Sequence, residues 1–278
     1  MCELFCMHEL IKYFEHIPSL HRALILAGGI TFFWLLESAI PLFNFSYNKW
    51  RHAGINIFFT ITTLIINFGF AFLIVLTSDW CVANGFGILQ WIALPLWLQL
   101  IIGLLLLDFI GAYCIHLIQH KVKWMWKFHM IHHADTHVDT TTANRHHPGE
   151  SVFRTVFAIL AIFIAGTPIW MVMLYQSLSV VLAQFNHANI KMHAGLDKAL
   201  RLVFVTPNMH RVHHHYMRPE TDSNYGNIFS LWDRMFGTYR YKPANELKYG
   251  LDILKTYNDE SLKEQLHIPF NKKVKPDF

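Results

Sequence analysis

The chain has 278 residues, of which 53% are hydrophobic and only 15% charged, with a net charge of +4 and a mean hydropathy of +0.28. Soluble domains carry about 25% charged residues, so the deficit points to a multi-pass membrane protein. The small, dispersed positive charge excludes an electrostatic nucleic-acid binder. Cys2, Cys6, Cys81 and Cys114 form neither a disulfide framework nor a zinc-ribbon spacing.

Residues 1–20 read as a short amphipathic helix at the membrane surface, with Leu4, Phe5, Ile11 and Phe14 among charges. They lack the basic and apolar regions of a cleaved signal. Three apolar runs follow, Ala23 to Phe43, Ile55 to Thr77 and Ile88 to Leu107, each long enough to span a bilayer. Glu37 falls near the end of the first run and is expected at the interface. The loop 78–86 has no Lys or Arg, whereas Lys49, Arg51, Lys121, Lys123 and Lys127 fall across the membrane from it. Positive charge favours the cytoplasm, which places these residues and their neighbours there. The fourth run, Val152 to Phe185, is interrupted at Gly166-Thr-Pro168 and reads as a hairpin that enters and returns at about 152–185. The expected organisation is therefore N-terminal segment and spans over 1–107, a histidine-rich region with the hairpin over 108–241, and an exposed cytoplasmic tail over 242–278.

Of 19 histidines, 14 fall between His116 and His215. His116 and His120 stand four apart. His129, His132 and His133 follow as H-x-x-H-H, and His210, His213 and His214 repeat that spacing. Residues three and four apart share a helix face, so each block aims two or three imidazoles at one point. Eight such histidines exceed the needs of one four-coordinate zinc and suit two metals with about four imidazoles each. Asp108, about two turns before His116, is a candidate partner for an imidazole N–H, as are Asp135, Asp139 and Glu150. Imidazole suits iron, zinc, copper and nickel alike. The cluster lies where apolar helices meet water, a place for a lipid C–H bond beside two oxygen-activating irons. A zinc-containing membrane hydrolase or metal-binding protein is the alternative, although H-E-x-x-H and G-x-S-x-G are absent.

The three boxes resemble those of the fatty acid hydroxylase/sterol desaturase superfamily. The surroundings agree: Asp108 with Tyr113, Trp126-Lys-Phe-His129, Arg145-His-His-Pro-Gly-Glu150, Asn186-His-Ala-Asn189, Thr206-Pro-Asn-Met-His210, Asn224-Tyr-Gly226 and Trp232-Asp-Arg-Met-Phe-Gly-Thr238. The resemblance covers roughly residues 100–240. It implies an all-α integral membrane bundle with a cytoplasmic histidine-rich di-metal cap. It also implies O2-dependent hydroxylation or desaturation of a fatty acyl, sterol or related chain at two iron ions, which zinc can replace during purification. By that resemblance the eight box histidines and His187 are metal ligands, while His193, His147 and Asp108 are candidates for ligation or support. His137, His146 and His215 read as polar loop residues; His8, His16, His21, His52 and His267 have no partners in sequence. His147-Pro-Gly-Glu150 is similar to part of a cytochrome b5 haem motif, but its short loop has no room for a haem domain. With neither a nucleotide fingerprint nor a ferredoxin cysteine run, electrons are expected from a separate cytochrome b5-like or ferredoxin/reductase donor.

Overall fold

The computed structural model of the chain describes residues 2–276, with side chains from residue 7 onward; the side chains of Cys2 and Cys6 lie outside the described set. Helix α1 (Cys2–Glu15) precedes α2 (Ser19–Ala39) and α3 (Lys49–Ala83), whose first turn is capped by the Asn48 side chain accepting from Arg51 N. After α4 (Ile88–Trp91) the chain breaks before Pro95, then α5 (Leu96–Asp108) runs through a wider π turn (Phe109–Cys114) into α6 (Ile115–Lys121). Helix α7 (Lys123–His133), a 3-10 turn (Thr140–Asn144), α8 (Pro148–Ala165) and α9 (Ile169–His187) follow. Four short helices complete the chain: α10 (Ala194–Leu200), α11 (Pro207–His213), α12 (Leu231–Met235) and α13 (Leu262–His267). The described residues contain no strand, only two isolated bridges, Pro41 with Ile190 and Phe204 with Phe229.

Among the described residues, five segments are long and apolar enough to cross a membrane: Ser19–Ala39, Lys49–Trp91, Leu96–Lys121, Pro148–Ala165 and Ile169–His187. The chain is an all-α, multi-pass membrane protein. The third span begins at Leu96 rather than Ile88, because Pro95 cannot continue a preceding helix. It also runs past Leu107 without a break, because Asp108 is buried and hydrogen-bonded rather than marking an exit to water. The fourth run divides where expected. Gly166 closes α8 at φ +69°, a left-handed conformation that favours glycine. Pro168 then caps α9. A Cβ on Gly166 would also meet the Phe86 carbonyl at 2.5 Å, so the turn packs directly on the α3–α4 loop. Helix α8 packs on α3 and on the π turn, whereas α9 packs on α1 and α2.

One core joins Leu107, Ala161, Ile162, Met171, Leu174 and Ile228 at the centre of the bundle. A second joins Phe59, Trp126, Met130 and Ile131 to Leu251, Leu254, Ile268 and Val274. The tail beyond residue 242, expected to be an exposed cap, therefore buries these last four side chains against α3 and α7. Glu37, expected at the interface, is buried: it accepts from Thr140 N and Asn189 N, both at 3.1 Å, and pairs with Lys49 Nζ at 3.1 Å. It ties α2 to the segments on either side of the hairpin.

Candidate metal centre

Helices α6, α7 and α11 and the last turn of α9 bring nine histidines together in two adjoining sets. His116, His120, His129, His133 and His213 form one, and His132, His187, His210 and His214 the other. The boxes are divided between the sets rather than each serving a single point. On a helix, residues four apart differ by about 40° in direction and residues three apart by about 60° the other way. His129 and His133 therefore share one set while His132 turns to the other. In α11, His210 and His214 stay together and His213 crosses over.

The ring orientations are fixed from behind. His116 Nδ1–H donates to the Tyr225 carbonyl at 2.8 Å, His213 Nδ1–H to the Ser223 carbonyl at 2.6 Å, and His187 Nδ1–H to the Ala183 carbonyl at 2.7 Å. His129 Nδ1–H donates to Glu150 Oε1 at 2.7 Å. Carbonyl and carboxylate oxygens only accept, so each of these rings carries its proton on Nδ1 and presents the bare Nε2 lone pair inward. The Nε2 atoms meet: His116 to His129 at 3.1 Å, and His129 to His133 at 3.2 Å. His187 Nε2 lies 3.2 Å from His132, 3.0 Å from His210 and 3.1 Å from His214. Lone pairs facing each other at this range repel unless a cation lies between them. Ligands ~2.1 Å from one ion stand roughly 3.0–3.4 Å apart along the edges of its coordination polyhedron. The observed separations match, and the donor set fits a metal in each position.

Burial acts in the same direction. His129, His132, His133, His210, His213 and His214 are buried, and the lost hydration holds each below the usual histidine range, with neighbouring imidazoles adding to the effect in most of them. These rings are neutral at pH 7, the form that binds metal.

Two of these carbonyls, those of Ser223 and Tyr225, come from one loop. Asn224 adopts φ 52°, and its side chain donates to the carbonyls of Met209 and Arg240, both at 2.9 Å, and accepts from Arg240 N at 2.8 Å. Asp233 accepts from Tyr225 N at 2.8 Å and Gly226 N at 2.9 Å. A Cβ on Gly226 would meet the Phe229 carbonyl at 2.6 Å. Asn224-Tyr-Gly226 and Asp233 thus shape the backbone that aims the carbonyls of residues 223 and 225 at His213 and His116.

The other sequence candidates lie elsewhere. Asp108 is buried but about two helical turns, roughly 12 Å, from His116. It accepts from Trp232 Nε1 at 2.9 Å, from Ile228 N and Phe229 N at 3.2 Å and from the Tyr175 hydroxyl at 3.4 Å, and holds no imidazole. His147 caps α8 by accepting from Gly149 N at 3.0 Å, and His193 caps α10 by accepting from Gly195 N at 3.2 Å; neither joins a set.

Glu150 and Asp135, both candidate partners for an imidazole, each meet one, and His146 and His52 have more to do than their sequence surroundings suggested. His146 is buried, stacks on His132 at 5.0 Å and places Nδ1 3.0 Å from Glu150. Glu150 itself is fully buried and links His129 to His146, whose spacing of four from Glu150 was the signal that could have marked it. His52, with no neighbour in sequence, lies buried with Nε2 2.9 Å from Asp135 and Nδ1 3.3 Å from Asp139. Asp135 also accepts from the Thr142 hydroxyl at 2.7 Å, so both acids serve a buried network.

The fold and the site together define a multi-pass membrane protein with two adjoining histidine sets of metal-ligand geometry. Residues 100–238 match the fatty acid hydroxylase family model, and the chain belongs to that family. It is 28% identical over 154 residues to an ornithine lipid hydroxylase of Rhizobium tropici, a match covering 55% of this chain and 44% of that protein. It is 30% identical over 191 residues to the alkylglycerol monooxygenase of Homo sapiens, covering 66% and 39%. A cholesterol 25-hydroxylase-like protein of Danio rerio is 27% identical over 141 residues, covering 50% and 54%. The chain thus spans about half or less of the length of these relatives. No solved structure matches it.

Proposed function

We propose that the chain is an O2-dependent lipid hydroxylase working at two histidine-held iron ions, with the cluster on the cytoplasmic side of the membrane. His116, His120, His129, His133 and His213 would hold one ion, and His132, His187, His210 and His214 the other. The observation that carries the reading is the convergence of nine buried imidazoles in two sets at one end of an apolar bundle.

Bound there, the iron pair supplies the site at which O2 is reduced and a lipid C–H bond oxidised. The net reaction places one oxygen atom in the C–H bond and releases the other as water, consuming two electrons and two protons. The electrons come from a separate carrier, cytochrome b5-like or ferredoxin/reductase. The chain's own residues hold each imidazole in one tautomer, through the carbonyls of Ala183, Ser223 and Tyr225 and through Glu150. The spans keep bulk water from the cluster and offer an apolar path for the substrate chain. Hydroxylation is favoured over desaturation because the similar proteins are named as hydroxylases or monooxygenases. The names also favour a lipid with a polar head and a long apolar chain. The cytoplasmic side is supported by Lys49, Arg51, Lys121, Lys123 and Lys127 on the histidine side, against no Lys or Arg in loop 78–86.

Elemental analysis of detergent-purified protein, with O2 uptake measured on added lipids and a reductant, tests this. About two irons per chain and lipid-dependent uptake are expected. Two zincs per chain, with no uptake after iron reconstitution, would refute the oxygenase reading. Less than one metal per folded chain would refute the ligand set.

A further inference from the structure

Outside the spans, one group of exposed apolar side chains lies on two adjoining segments. Leu202, at 60% exposure, Val203 and Phe204 lie beside Met235, at 69%, and Phe236, at 53%. The two stretches are stitched together by Ser230 N donating to the Val203 carbonyl at 2.9 Å, Val205 N to the Ile228 carbonyl at 2.9 Å, and Arg234 Nη2 to the Arg201 carbonyl at 2.8 Å. The patch continues onto the third span, where the rings of Trp232 and Phe236 lie 4.9 and 5.4 Å from Phe109.

Its depth can be read from helix rise. Asp108, which accepts from Ile228 N and Phe229 N, stands eight residues before His116, about 12 Å further into the bundle. Tyr175, which donates to Asp108, stands twelve residues before His187, about 18 Å along α9. The segment around Phe229 is therefore level with the interior of spans that cross a hydrocarbon layer of about 30 Å. Irregular backbone at that depth requires every polar group to be satisfied within the protein. The buried Asp108 carboxylate satisfies Ile228 N and Phe229 N, and the cross-links between 203–205 and 228–230 satisfy Val205 N, Ser230 N and two carbonyls.

The rim of the patch is basic. Over residues 191–204 and 229–241 the exposed charges are Lys191, Lys198, Arg234 and Arg240, while the acids Asp197 and Asp233 are buried. Arg234 lies over the Tyr239 ring at 4.3 Å and Arg201 over the Tyr241 ring at 4.9 Å, the mixture of aromatic and basic groups that settles at a headgroup layer.

We propose that residues 202–204 and 229–236 form a re-entrant wedge in the leaflet on the histidine side, with Leu202, Phe204, Met235 and Phe236 among acyl chains. Lys198 and Arg234 hold the phosphate groups of anionic phospholipids at its rim. The occupant of the exposed face is the bilayer itself.

The test places a nitroxide at L202C, at M235C and, as a water-facing control, at K263C on α13. Each full-length variant is reconstituted at one chain per nanodisc, and the unsubstituted chain is labelled in parallel to subtract the native cysteines. Collisions with O2 should exceed those with a water-soluble nickel chelate at positions 202 and 235, and the reverse should hold at 263. Chelate access at 202 and 235 equal to that at 263 overturns immersion. Exclusion of both probes, with label–label broadening that appears only when two chains share a disc, assigns the face to a second copy and also overturns it. For the rim, K198Q/R234Q should lose enrichment of phosphatidylglycerol over phosphatidylcholine in the bound lipid, by about fivefold for each charge removed. Unchanged enrichment in a variant that still spans the nanodisc overturns the headgroup assignment.

Discussion

Replacing Glu150 by Gln should weaken metal binding at the five-histidine set without unfolding the chain. Glu150 is fully buried and accepts the His129 Nδ1 proton at 2.7 Å, a charge-assisted hydrogen bond. Glutamine keeps the shape and loses the charge. Its oxygen can still accept, weakly, or its amide can turn toward His129 and force the ring proton onto Nε2. In the second case the proton enters the space where His129 Nε2 faces His116 at 3.1 Å and His133 at 3.2 Å, and a ligand is lost. A hydrogen bond to a charged group contributes about 1.5–3 kcal/mol, so the affinity should fall roughly 10- to 100-fold. The assay dialyses purified protein against graded chelator and reads retained metal by elemental analysis, with thermal unfolding in detergent as the check on folding. Glu150→Asp, which keeps the charge but shortens the reach, should retain more metal than Glu150→Gln. Equal retention by wild type and Glu150→Gln would refute the claim that the carboxylate orients His129 for ligation.

Two further outcomes follow from buried charge and from neutral imidazoles. His52→Ala leaves Asp135 and Asp139 facing one another without the ring between them, and removing one member of a buried ionic group costs about 3–5 kcal/mol; thermal unfolding that stays within a degree or two of wild type would contradict this. Metal-free protein should lose stability as the pH falls below about 6.5. The unfolded histidines take up protons there, while the six buried rings outside the spans, held below that range, do not. Each such ring contributes up to about 1.4 kcal/mol per pH unit, a contribution fully present above pH 6.5 and lost on acidification. A denaturation midpoint that is flat or rising between pH 7.5 and 5.5 would show that these rings are already protonated in the fold.

The sequence by itself determined the features that depend on near neighbours. Apolar runs interrupted by Gly166 and Pro168 gave the spans and the break between α8 and α9, because helix length against bilayer thickness and the missing proline N–H are local constraints. Spacings of three and four gathered His129, His132 and His133, and again His210, His213 and His214. His187 was added by family likeness alone, since no neighbour in sequence marks it.

Tertiary structure decided how those rings are shared. His132 joins His187, His210 and His214 while His129 and His133 join His116, His120 and His213, and nothing within a single box sets which helix will face which. It also decided the fate of isolated polar residues. Asp108 looked like support for His116, but two turns of helix exceed the reach of a carboxylate, and it binds instead the backbone of residues 228 and 229, more than a hundred positions away. His52 looked idle because its partners, Asp135 and Asp139, lie beyond four intervening helices, α4 to α7. A buried polar group must find a partner somewhere, and in this chain the partners are brought by packing rather than by proximity in sequence.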